Sequence, residues 1–196
     1  MATEDEQRNF EDPLFITRTN LSNYRNILEE TGALDFLPIV EWMEERKDTV
    51  PCETPSITHN DFHGFNMLLD EKKNVFVIDW GALRVTDARY DLAWTLLLYS
   101  AFGNMTLRND LLRGYEAAAG ESVDQIEFFE VYACLRRLFE ISRSIKQGAD
   151  ELGMRPEAVQ MMKESVPHII NVRNRLKDLT GIVIPSVDVM IEELSQ

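Results

Sequence analysis

Histidine, cysteine and positive charge are all scarce in this chain. Its 196 residues hold three histidines, two cysteines and 20 lysines and arginines against 34 acidic residues, for a formal net charge of −14. Without clustered Lys and Arg, broad sequence-independent contact with nucleic-acid phosphates is excluded. Cys52 and Cys134 cannot build a multi-disulfide framework, and neither lies in a C-x-x-C pair. Long apolar runs are missing too. The longest, Leu92 to Phe102, is interrupted by Thr95 and Ser100 and is too short to span a bilayer. The start, Met1-Ala2-Thr3-Glu4-Asp5-Glu6, is acidic and polar, the opposite of a secretory or transit peptide. These absences predict a soluble, cytoplasmic protein with neither nucleic-acid nor membrane partner. A hydrophobic fraction of 44% with 28% charged residues is ordinary for a globular chain. The length suits one domain, or one large lobe of a two-lobed protein.

The order of elements is mostly helical. Residues 1–14 are charged, lack periodicity and read as a loose leader. From Leu21 to about Arg46 the apolar spacing predicts two helices, with Gly32 terminating the first. Asn66-Met67-Leu68-Leu69 and Val75-Phe76-Val77-Ile78 flank the polar stretch Asp70 to Asn74, which predicts two short strands joined by a turn. Beyond Arg89 everything reads as helix. Tyr90 to Phe102 is apolar almost all round, and a second helix over Leu107–Ala119 stops at Gly120. A long third helix follows the Ser122/Gln125 capping-box signature and runs to about Gln147. Gly148 and Gly153 break it, Pro156 opens a helix reaching Leu179, and Pro185 starts a short terminal helix. There are no internal repeats, low-complexity tracts or domain linkers. The expected fold class is mainly α with one small β-hairpin.

Chemistry concentrates in His59-Asn60-Asp61-Phe62-His63-Gly64-Phe65-Asn66 and, across the hairpin, in Val77-Ile78-Asp79-Trp80-Gly81. Phosphoryl transfer needs a carboxylate to receive the proton of the attacking hydroxyl and oxygen ligands to hold magnesium against a polyphosphate. An Asp and an Asn five residues apart on a tight loop can reach one small volume, and the hairpin returns a second Asp to it.

These residues resemble the catalytic core of the aminoglycoside phosphotransferase and choline kinase-like family, relatives of the protein kinases, in which the loop reads H-x-D-x-H-x-x-N and the metal-binding strand ends in I-D-[WF]. Asp87-Ala88-Arg89-Tyr90-Asp91-Leu92-Ala93 is similar to the family's G-D-x-x-Y-D-L-A stretch, so matches run from about Thr58 to Ala93. The resemblance implies Asp61 as catalytic base, with Asn66 and Asp79 as Mg²⁺ ligands. His59 would buttress the loop, and Asp91 would hold its backbone. Leu68 and Ile78 fall where the family places the floor of the adenine pocket, and the nucleotide implied is ATP or GTP. Asp91 also begins a buried helix, so N-terminal capping is an equal account of it. Outside this set, His63 reads as packed or hydrogen-bonded, and Trp80 and Tyr90 as core aromatics. Arg136 and Arg137 read as a solvated or salt-bridged helix face.

The same resemblance marks what is missing. A kinase-like phosphotransferase has an N-terminal lobe with a Gly-rich cover, a strand Lys and a hinge for adenine. Here Lys47 is the only lysine before the loop, no G-x-G-x-x-G occurs upstream, and residues 20–50 read as helices. The chain is therefore similar to a C-terminal lobe alone: residues 15–196 as the lobe, with the catalytic loop and metal hairpin at 58–81 and a helical substrate-side subdomain at 89–196. Three accounts are compatible with this. The chain is a piece of a longer phosphotransferase, a truncated relative needing a partner lobe, or a remnant that lost catalysis and kept a binding role. A homo-oligomer or a partner lobe is expected to cover the apolar face around Leu68 and Ile78. The leading function is phosphorylation of a small-molecule hydroxyl, aminoglycoside- or choline-like. The acceptor would be cationic if the negative charge gathers at the helical cleft. The alternative is a catalytically silent kinase-like binding module. A third reading, a hydrolase holding a transition metal on His59, Asp61 and His63, lacks further histidines to complete its shell.

Overall fold

In the computed structural model, which describes residues 11–148 and 156–196, the periodic apolar positions condense into a mostly helical body carrying small antiparallel sheets. Helix α1 (Phe15–Glu30) starts earlier than expected because Ile16 and Thr17 already pack inward beside Leu21 and Leu28. It closes in a Schellman motif: Ala33 N–H donates to Leu28 O and Gly32 N–H to Glu29 O. Gly32 supplies the required positive φ of 69°. A 3-10 turn at Leu34–Phe36 leads into α2 (Leu37–Glu44), which buries Ile39, Val40 and Met43.

Two sheets follow. The expected hairpin is β2 (Met67–Leu69) against β3 (Val75–Val77), antiparallel, with Leu68 opposite Phe76. The Asp70 carboxylate pins its turn by accepting from the amides of Lys72 and Asn74 and from the Asn74 side chain. Between β1 and β4 lies a pairing that the sequence reading missed: β1 (Ser56–Thr58) runs antiparallel to β4 (Arg84–Thr86). Each strand is three residues long, too short for alternation to be read, and the ladder closes the base of the segment from 59 to 83.

The body consists of α3 (Ala88–Ala101), α4 (Met105–Ala119), α5 (Ile126–Gln147), α6 (Pro156–Glu164), α7 (Val166–Thr180) and α8 (Pro185–Leu194). Helix α3 is buried by packing chiefly against α5, and α5 in turn packs on α7. Ala93, Leu96 and Leu97 from α3, Phe129, Leu135 and Leu138 from α5, and Ile169 and Val172 from α7 are all fully buried.

Two expectations about helix ends are corrected. Ser122 caps nothing. The residue preceding α5 is Gln125, in the left-handed region at φ 56°, while the loop is held by the Glu116 carboxylate accepting from Val123 N–H. Nor does one helix run from Pro156 to Leu179. The chain breaks at Ser165 and restarts with Pro167 in the first turn of α7, where its missing N–H costs no helical bond. Residues 1–10 of the expected leader and the expected break at Gly153 lie outside the described residues, whereas Glu11–Leu14 form a turn.

One buried polar cluster ties three helices together. Glu130 on α5 is fully buried and accepts from Arg108 Nη2 of α4 at 2.7 Å and from Arg175 Nη2 of α7 at 2.5 Å. Removing the carboxylate leaves two guanidinium groups facing each other without compensation. Glu130→Ala is therefore expected to destabilise the fold by about 3–5 kcal/mol, read as a lowered urea midpoint.

Candidate active site

The loop between β1 and the hairpin is held from below by a buried helix. Asp91, in the first turn of α3, accepts from the backbone amides of His59 at 2.5 Å and Asn60 at 2.6 Å. Capping is not its role: Asp87 is the N-cap, accepting from Arg89 N–H at 2.9 Å. Burial pushes the Asp91 carboxyl above its ordinary value, against the two amide bonds that favour the charged form. Asn60 takes a left-handed φ of 61°, and its side chain donates to Ala82 O at 2.9 Å. A further tie comes from Thr95, whose hydroxyl donates to Phe62 O at 2.6 Å.

His59 is the cross-brace. Its ring is buried and lies 4.8 Å from the Trp80 ring. Nε2 bonds Ile78 O at 2.8 Å, and Nδ1 accepts from Asp61 N–H at 3.3 Å. A carbonyl can only accept, so both bonds are satisfied by the tautomer with its proton on Nε2. The brace thus joins the loop to the end of the hairpin. With both ring nitrogens committed to the backbone, His59 has no lone pair for a metal, and the transition-metal hydrolase reading loses its ligand set. Among the described residues, no group of three His, Cys, Asp or Glu side chains is placed to hold a metal.

Asp61 and Asn66 are brought together. Asn66 is buried, and its side-chain amide donates to Asp61 O at 2.8 Å and lies 3.4 Å from Asp61 Oδ2. This orientation leaves the Asn66 carbonyl oxygen without a hydrogen bond among the described residues. The other carboxylate oxygen of Asp61 accepts from the Trp94 indole at 2.9 Å, with His63 Nε2 3.5 Å away. Ile78 N–H donates to Asn66 O at 2.9 Å, so the next residue, Asp79, sits beside the Asp61–Asn66 pair along the chain. Asp79 is exposed and left-handed at φ 64°, a conformation uncommon outside glycine. Its carboxylate has no hydrogen bond or ion pair among the described residues. Asp61, Asn66 and Asp79 offer two carboxylates and an amide oxygen, the hard-oxygen donor types that Mg²⁺ takes.

Leu68 and Ile78 are exposed on the hairpin, as is Trp80, which corrects its expected place in the core. Trp80 is out because its indole donates to Val77 O at 3.0 Å and its ring covers His59 instead. Tyr90 is buried as expected. Arg136 does pair with Glu140, but it is not merely a solvated face. It stacks on Trp94 at 4.0 Å and donates to Asn60 O at 2.6 Å. Sequence reasoning missed Trp94, Thr95 and Arg136 as parts of the site. For the first two a signal existed: positions three and four after Asp91 share its helix face.

Asp61 opens onto a cleft of about 770 Å³ walled by Phe65, Trp94, Leu98, Tyr99, Phe102 and Leu107, with Arg137 on its lining. Gly64 permits the loop to approach this wall closely, since a Cβ there would stand 3.0 Å from the Tyr99 hydroxyl. Among the described residues that line the cleft, Asp61 is the only carboxylate.

A family model described as the phosphotransferase enzyme family matches residues 3–128, a span that takes in the loop, the hairpin and α3. No curated protein and no solved structure matches the chain. If Asp91 is the clamp of the loop, Asp91→Ala should cost about 1–3 kcal/mol for each amide left without its acceptor. Amide hydrogen exchange should accelerate at His59 and Asn60 more than in the core of α5.

Proposed function

The chain belongs to the phosphotransferase enzyme family, and from that premise we propose that it transfers the γ-phosphoryl group of ATP or GTP to the hydroxyl of a small molecule, with Asp61 as the base. One observation carries this reading. The Asp61 carboxylate is oriented by the Trp94 indole on one oxygen and held beside Asn66, at the mouth of a cleft large enough for a small substrate. The oxygen that Trp94 does not use holds only the long 3.4 Å bond from the Asn66 amide and keeps a lone pair to accept the hydroxyl proton as the alcohol attacks. His59 and Asp91 act as positioning residues: they fix the loop backbone so that Asp61 needs little reorganisation.

Asn66, through its free amide oxygen, and Asp79 are the residues that would hold Mg²⁺. When bound, the ion would neutralise charge developing on the phosphate oxygens. The left-handed backbone of Asp79 is the kind of local strain kept where function needs a side chain aimed in one direction. Leu68, opposite Phe76 on the pleat, and Ile78 are proposed as the apolar floor for the base of the nucleotide.

Residues 15–196 are proposed to correspond to the C-terminal lobe of a kinase-like fold. Support comes from the hairpin surface: Leu68, Leu69, Val75 and Phe76 are each more than half exposed, so both of its faces are bare. Phe65, beside it, is 88% exposed. Apolar surface of this kind ordinarily has a cover. The chain by itself is expected to self-associate through this face, with a weight-average mass in sedimentation that rises with concentration. A monodisperse monomer throughout would count against a missing cover.

The same exposure favours the second reading, a module that binds a partner and no longer transfers phosphate. The two part on one measurement. As a base, Asp61 is worth about 10² to 10⁴ in rate, so Asp61→Asn should lose transfer by that factor while its thermal unfolding stays that of the parent. A silent module shows no transfer in either protein and negligible heat with Mg-ATP in calorimetry.

A further inference from the structure

Arg137 is an anomaly among the arginines. Arg25, Arg46, Arg89, Arg108, Arg136, Arg173 and Arg175, all at least partly buried, each pair with a carboxylate. Arg84 and Arg143, which have no such pair, are exposed to water. Arg137 is partly buried and lines the Asp61 cleft, yet has no ion-pair partner among the described residues. Its sole hydrogen bond there runs from Nε to His168 Nε2 at 3.0 Å.

His168 cannot neutralise it. The histidine is buried, with the Phe102 ring 5.0 Å away. Burial first, and then Arg137 itself, hold its pKa down to about 4, so at neutral pH it is an uncharged acceptor. The bond therefore orients the guanidinium and turns its two terminal nitrogens away from His168 without compensating the charge. Burial lowers the pKa of Arg137 itself and neighbouring Arg136 adds to this, against the more distant charges of Glu140 and Asp61, neither of which forms an ion pair with it. A cation on an apolar cleft wall is costly unless something anionic meets it.

We propose that Arg137 recognises the acceptor, and that the acceptor is an alcohol with an apolar or aromatic body and a carboxylate at the end remote from the reacting hydroxyl. The proposal rests on the phosphotransferase reading for the direction in which the alcohol lies, with its hydroxyl at Asp61. A planar guanidinium fork matches a carboxylate in bidentate geometry. The same cleft is lined by Trp94, Leu98, Tyr99, Phe102 and Leu107, which suit a ring better than a polyhydroxylated sugar.

The test uses the full chain without nucleotide and three probes of one shape: para-(hydroxymethyl)benzoate, para-(hydroxymethyl)benzylamine and benzyl alcohol, titrated by heteronuclear NMR. The benzoate should bind about tenfold or more tightly than either other probe, with shifts at Trp94 and Arg137. Arg137→Gln should erase that preference, and Arg137→Lys should retain part of it. Equal affinity for the three probes, preference for the amine, or a preference that survives in Arg137→Gln would each overturn the proposal. The wild-type comparison alone is decisive if a variant does not fold. Because the readout is binding, it separates from the chemistry: Asp61→Asn should keep the benzoate preference. Absence of phosphate transfer would then fault only the enzymatic reading.

Discussion

Two short hydrogen bonds from backbone amides to one half-buried carboxylate decide where the chemistry of this chain can stand. Asp91 sits in the first turn of a helix whose other faces are packed into the core, so its position is as rigid as the body itself. By accepting from His59 and Asn60 it transfers that rigidity to a loop with almost no regular structure of its own. The first turn of a helix also favours a negative charge, which helps to keep the carboxylate ionised in spite of its burial.

From that anchor the site builds outward by contact. His59 bridges to Ile78, Asn66 receives the Ile78 amide, and the hairpin is thereby set against the loop. Helix α3 contributes a second and third hold through Trp94 and Thr95, and Arg136 on α5 caps the arrangement by stacking on Trp94 while donating to Asn60. The loop that carries Asp61 is thus held from two helices and from the end of the hairpin. The surroundings of Asp61 are apolar on the cleft side, where Trp94, Leu98, Tyr99, Phe102 and Leu107 line the wall, and carry the Asn66 side-chain amide on the other.

Part of this was legible from the residues in order. The hairpin, the helical body, the Gly32 and Gly120 stops and the H-x-D-x-x-x-x-N loop followed by a strand-end Asp all depend on local spacing, and local spacing survives folding. The β1–β4 ladder was not legible, because two three-residue strands pair only once the intervening segment has folded back on itself. The true cap of α5 and the break at Ser165 also escaped. A capping signature states what a side chain could bond, while packing decides whether the helix begins there. Trp80 was misplaced for a similar reason: its aromatic character suggested burial, but its position after Asp79 turns it onto the outer side of His59.

Sequence alone determined which groups are available: a carboxylate and an amide five residues apart, a second carboxylate beyond a hairpin, and the membership in a phosphotransferase family that those motifs carry. Only the tertiary structure decided which oxygen of Asp61 the Trp94 indole takes, which nitrogen of His59 bears the proton, and which partly buried arginine, among the described residues, has no carboxylate partner. Those are outcomes of competition among partners drawn from distant parts of the chain. A hydrogen bond or an ion pair goes to whichever donor the packing of the helices brings within reach, and no reading of neighbours in order reveals that choice.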